Sequence, residues 1–78
     1  MIIEARNQCG VWLENGRHIK VKAGKRFELA GQENFDDYRW TKYHFMSLEG
    51  DYGFALNSNE SNLCNDNWLN SYFRIIEE

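Results

Sequence analysis

Proline is absent from this 78-residue chain, cysteine occurs only twice, and no apolar run approaches the length of a membrane span, which takes ~20 residues. Each absence excludes something. Without proline, strand edges lack one common guard against pairing with other chains, so closure toward a barrel or coverage by a partner is expected. Cys9 and Cys64 lie far apart and form no CxxC, which argues against a zinc or redox site and for two reduced thiols rather than one long-range disulfide. The opening Met1-Ile2-Ile3-Glu4-Ala5-Arg6 has neither the basic head nor the apolar stretch of a secretory signal, so a cytoplasmic protein with no membrane partner is expected. Asn59-Glu60-Ser61 matches a glycosylation acceptor, but that chemistry requires secretion, and it carries no weight here.

Catalytic and metal-binding patterns are also missing. His18 and His44 stand alone, each in a strand-like run without a second ligand at a short spacing. No flanking pattern marks Cys9 or Cys64 as an activated thiolate. Asp36 beside Asp37, and Glu49 near Asp51, read as solvated loop acids rather than acid-base pairs. With no calcium loop and no phosphate-binding glycine motif, the expectation is a protein that is not an enzyme and needs no cofactor or metal.

What the chain does contain is enough for one small folded domain over residues 1–78. Hydrophobic residues make up 42% and charged residues 27%, a balance that can bury a core and still dissolve. The aromatic share of 15% helps a small core offset its chain entropy.

The local pattern is that of short strands. Val11–Glu14 and Arg17–Lys22 flank Asn15-Gly16, the dipeptide that favours a two-residue type I′ turn, and so predict a β-hairpin. Ile19 and Val21 would face one side, His18, Lys20 and Lys22 the other. Arg26–Ala30 alternates again as a third strand, and residues 31–37 suit a loop or a helical turn. Tyr38–Glu49 and Tyr52–Leu56, joined by Gly50-Asp51, predict a second hairpin with a type II′ turn. The Asn-rich stretch 57–67 reads as an exposed loop, and Trp68-Leu69 as a short helical turn. Tyr72–Ile76 is strand-like, with Ile2–Ala5 as its expected neighbour. Five or six short strands predict a mostly β fold: a small SH3-like or OB-like antiparallel barrel or sheet. Gly53-Phe54 and Asn70-Ser71-Tyr72-Phe73 resemble the strand and short turn near the end of an SH3 domain. Residues 57–69 intervene and the proline of that pattern is missing, so the resemblance implies fold only and brings no peptide-binding role.

Charge is divided along the chain. Residues 1–30 hold six Lys or Arg against three acids (+3), and residues 31–78 hold three against nine (−6), giving the net −3. The acids Glu33, Asp36, Asp37, Glu49, Asp51, Glu60 and Asp66 fall in expected loops and could face a basic surface on another protein. Interface centres favour Trp and Tyr, so the leading expectation is a non-enzymatic protein-binding module. Tyr38, Trp40, Tyr52 and Trp68 would anchor it, while Asp36, Asp37 and Asp51 steer the encounter. Size and composition suit a stand-alone accessory or inhibitor protein of the phage or mobile-element type. The alternative is a nucleic-acid-binding barrel that uses Arg17, Lys20, Lys22, Lys25 and Arg26 with Trp12 or Phe27 as a stacking platform. A third reading is a structural subunit or homodimer joined through an edge strand.

Overall fold

The computed structural model describes residues 1–35 and 39–78. The fold is mostly β. Seven strands are present among the described residues: β1 (Ile2–Ala5), β2 (Cys9–Trp12), β3 (His18–Val21), β4 (Arg26–Asn34), β5 (Thr41–Ser47), β6 (Gly53–Ser58) and β7 (Phe73–Glu77). A 3-10 turn (Leu63–Asn65) and one short helix, α1 (Asn67–Tyr72), precede β7. Five strands form an antiparallel sheet in the order β6-β5-β4-β1-β7, and β2 with β3 makes a separate two-stranded sheet. The barrel is not closed: β6 and β7 are sheet edges. The expected neighbourhood of the two ends is present, with Ile3 opposite Ile75 and Ala5 opposite Phe73. No helix among the described residues is long and apolar enough to cross a membrane.

Alternation along the strands places Ile3, Ala5, Phe27, Phe45, Phe54 and Phe73 in the interior from the large sheet. Cys9, Val11 and Val21 enter the same cluster from the hairpin, and Leu63 and Leu69 from the segment around α1. Phe27 meets Phe54 edge-on at 5.0 Å, and Phe54 stacks on Phe45 at 5.3 Å and on Phe73 at 5.5 Å. Each such ring pair contributes about 0.5–1.5 kcal/mol beyond its area burial, which ties β4, β5, β6 and β7 together at one point. Both cysteines are unpaired thiols, Cys9 buried and Cys64 half-buried.

Several sequence expectations are corrected. The first hairpin does not use a two-residue type I′ turn, which would need positive φ at both Asn15 and Gly16. Only Gly16 is left-handed (φ 85°). The Gly16 N–H donates to Leu13 O, and the Leu13 N–H donates to Arg17 O. The loop therefore has three residues, Glu14-Asn15-Gly16, with a turn over Leu13–Gly16 and glycine in the left-handed position after it. Asn15 acts through its side chain, its Oδ1 accepting from the Arg17 N–H at 3.0 Å. The second hairpin is likewise longer than expected, because Ser47 pairs with Tyr52 across four residues and Gly50 takes φ 76° in the third of them.

The stretch 31–37 is not all loop. β4 runs on through Asn34, with Ala30 left over as a bulge between the Leu29–Phe45 and Gly31–His44 pairs. Residues 57–67 are not simply exposed either. Ser58 ends β6 and is buried, Leu63 is core, and Asp66 is buried with its carboxylate accepting from Ser58 Oγ at 2.7 Å and the Leu69 N–H at 2.8 Å. Asp66 is thereby the N-cap of α1 and no part of an acidic rim.

Candidate binding surface

The sequence-predicted residues divide into three groups. Asp36, Asp37 and Tyr38 lie outside the described residues. Lys25, Arg26, Asp51 and Tyr52 are engaged within the fold. Lys25 Nζ lies 2.8 Å from Asp51 and 3.3 Å from Glu49, and sits 4.9 Å from the centre of the Tyr52 ring, which itself packs edge-on against Phe27. This contact locks the β3–β4 turn to the β5–β6 turn. The ammonium hydrogen bond holds the Asp51 carboxyl below its ordinary range and pushes Lys25 up. Arg26 and Arg74 both reach Glu4, whose carboxyl is lowered chiefly by its bond to Arg26. Phe27 is fully buried at the meeting point of the aromatic cluster, so it offers no stacking platform. The third group remains at the surface: Trp12, Arg17, Lys20 and Lys22 on the hairpin, Trp40 ahead of β5, and Trp68 on α1.

Trp12 is the most exposed of the large hydrophobic residues among those described, at 66%. Its position follows from the three-residue loop, which pairs Trp12 with His18 on the outer face of the hairpin while Val11 and Ile19 turn inward. The Trp12 and His18 rings meet edge-on at 4.8 Å. Gly10 lies beside them, and the imidazole occupies the space that a Cβ there would fill. Trp68 is partly seated, its ring 5.8 Å from Phe73, 6.3 Å from Phe54 and 5.2 Å from Tyr72.

Between the hairpin and the large sheet runs a groove of about 440 Å³. Gly10, Val11 and Trp12 of β2 form one wall, Phe54 to Asn57 of β6 form the other, and Trp68 also lines it. Both walls are strand edges. In an antiparallel pair, directly opposed residues alternate between exchanging hydrogen bonds and turning them outward. The Leu13–Arg17 bond makes Val11–Ile19 and Cys9–Val21 the bonded pairs, so Gly10 and Trp12 direct their N–H and C=O groups away from β3. The Ser47–Tyr52 bond does the same for Phe45–Phe54, Tyr43–Leu56 and Thr41–Ser58, so Gly53, Ala55 and Asn57 direct theirs away from β5. No described residue pairs with these outward groups. None of the lining side chains is ionisable.

A second polar feature flanks the hairpin tip. His44 lies with Nδ1 3.3 Å from Glu14 and Nε2 3.5 Å from Glu33, and Lys42 lies 3.8 Å from Glu14. The two carboxylates face opposite nitrogens of one ring, so the arrangement bridges the loop to β4 and β5 and does not form a chelating set. Among the described residues no group of three or more His, Cys, Asp or Glu could hold a metal ion.

Sequence reasoning found Trp12 and Trp68 separately but assigned them to rival surfaces. The three-residue loop and the Asp66 cap bring them to one groove. The available signal was Asp66 three residues before Leu69, a capping spacing ahead of a short apolar run. No protein-family model, curated protein or solved structure matches this chain.

Proposed function

We propose that the chain is a non-enzymatic protein-binding module of the accessory or inhibitor type, and that it holds its partner in the groove between β2 and β6. The observation that carries this reading is the pair of tryptophans on one uncharged groove, with Trp12 left mostly in water on a face the hairpin could have given to a polar residue. Exposed indoles at such a site are the residue type that dominates binding energy at protein interfaces. The finer fold reading is an SH3-like sheet that stops short of closure. It is supported by the strand order, by the bulge that bends the long β4, and by the 3-10 turn ahead of the last strand; fold alone assigns no function.

The test is affinity capture with the folded chain as bait, run at low and high salt with and without nuclease, beside a Trp12→Ala/Trp68→Ala bait. A single protein retained through nuclease and high salt by the parent and lost by the variant supports the reading. Equal retention by both baits refutes the groove.

The nucleic-acid reading keeps one specific observation. Trp12, His18 and Lys20 share the outer hairpin face, with Arg17 and Lys22 adjoining. Lys25 and Arg26 leave that set because acids neutralise them. Titration of a fluorescent single-stranded oligonucleotide would give salt-sensitive binding that Lys20→Glu/Lys22→Glu abolishes; no binding at low salt would end this alternative.

A further inference from the structure

Resting on the protein-binding reading, we infer that the partner enters this groove as an extended segment that adds a strand to the free edge of β6. The groove differs from an ordinary apolar patch in what its walls present. Ala55 and Asn57 on one side, and Gly10 and Trp12 on the other, carry outward backbone donors and acceptors. Only another extended backbone matches such a row with its own alternating N–H and C=O groups. A helix satisfies its backbone internally and would leave the β6 row unmatched. The wall along β6 covers four residues, about 13 Å at roughly 3.3 Å per residue, which is the length of a short strand.

The side chains of the groove specify the rest of the partner. An added strand presents successive residues to opposite faces, so one row would meet Val11, Leu56 and Trp68 toward the interior and the other would meet Trp12 outside. Uncharged walls call for an uncharged centre, because a charge brought there would lose water without finding a counter-charge. The occupant is therefore a proline-poor extended peptide with apolar residues at alternate positions.

The probe is the tightest binder selected from a display library of random linear dodecapeptides on the full chain. Ala55→Pro is the decisive variant. The Ala55 N–H faces away from β5, so proline removes that outward donor without breaking a bond of the β5–β6 ladder, and edge strands tolerate it. Loss of one such bond, with the ring now in the path of the incoming strand, should weaken the peptide about tenfold. Hydrogen exchange on the parent chain gives a readout independent of any variant: the Ala55 and Asn57 amides should become protected when the peptide binds. A peptide that binds while these amides exchange unchanged, and that tolerates Ala55→Pro but not Trp12→Ala, would overturn strand addition and leave the groove reading intact. A library that enriches no peptide would also overturn strand addition, and the capture experiment then decides the groove reading separately.

Discussion

Replacing Asp66 by alanine should be among the most damaging single changes outside the aromatic core. One oxygen of this carboxylate accepts from the Leu69 N–H at 2.8 Å and caps α1, and the other accepts from Ser58 Oγ at 2.7 Å. Loss of a cap costs about 1 kcal/mol. Leaving the buried Ser58 hydroxyl without its acceptor adds about 1–3 kcal/mol. The sum, about 2–4 kcal/mol, is large beside the roughly 4–12 kcal/mol expected for a domain of this length. Urea unfolding followed by fluorescence would read it directly, and the midpoint of thermal unfolding should fall by roughly 10–25 °C. A double-mutant cycle with Ser58→Ala isolates the side-chain bond. Removing both partners should cost less than the sum of the single losses, by about 0.5 kcal/mol or more. An Asp66→Ala protein within about 0.5 kcal/mol of the parent, or strictly additive single losses, would refute this account of how α1 is fixed and Trp68 placed.

Three further outcomes are expected. Gly53→Ala would drive a Cβ into the backbone carbonyl of Phe45 and cost about 1–3 kcal/mol, whereas Gly31→Ala meets open space and should be neutral or stabilising by about 0.4–1 kcal/mol; denaturant midpoints in the opposite order would contradict the packing. The Lys25–Asp51 pair should shape stability at both ends of the pH scale. Asp51 is lowered in the folded state, so its contribution is present above the unfolded carboxylate pKa and is lost as pH falls through the folded value. Lys25 is raised, so its contribution is present below the unfolded lysine pKa and is lost as pH rises through the folded value; Asp51→Asn should flatten the acid limb of a stability-pH curve, and an unchanged limb would count against the pair. Burial raises the Cys9 thiol, and burial together with Glu78 raises Cys64, which is the less buried of the two. Alkylation of the native protein should reach Cys64 first, and mass spectrometry finding Cys9 labelled first would refute the placement.

The strands were legible where one face is wet. Ile19 and Val21 against His18, Lys20 and Lys22, and Phe27 against Arg26 and Glu28, announce their faces by alternation alone. The end of β4 was hidden because the Ala30 bulge breaks the period just where Gly31, Gln32, Glu33 and Asn34 turn polar, and only pairing with β5 keeps them extended. The stretch 57–67 misled for a different reason. Asparagine and serine mark a loop by composition, yet Ser58 and Asp66 are buried because each satisfies the other, a relation between positions that no local window contains. The groove was invisible in the same sense, since residues 10–12, 54–57 and 68 meet only after the sheet is assembled.

The hairpin loop carries a consequence of its own. Asn15-Gly16 in its preferred two-residue turn would pair Glu14 with Arg17 and set Trp12 opposite Ile19, on the face that the structure turns inward. The folded chain instead holds Trp12 opposite His18, with Val11 in the core. Local preference and final fold disagree here, which is frustration in the landscape sense. Natural sequences concentrate such conflicts where function asks for them. The residue displaced by this conflict is the indole at the mouth of the groove, so a hairpin freed from the large sheet should relax toward the other register and carry Trp12 from beside His18 to the face of Ile19 and Val21.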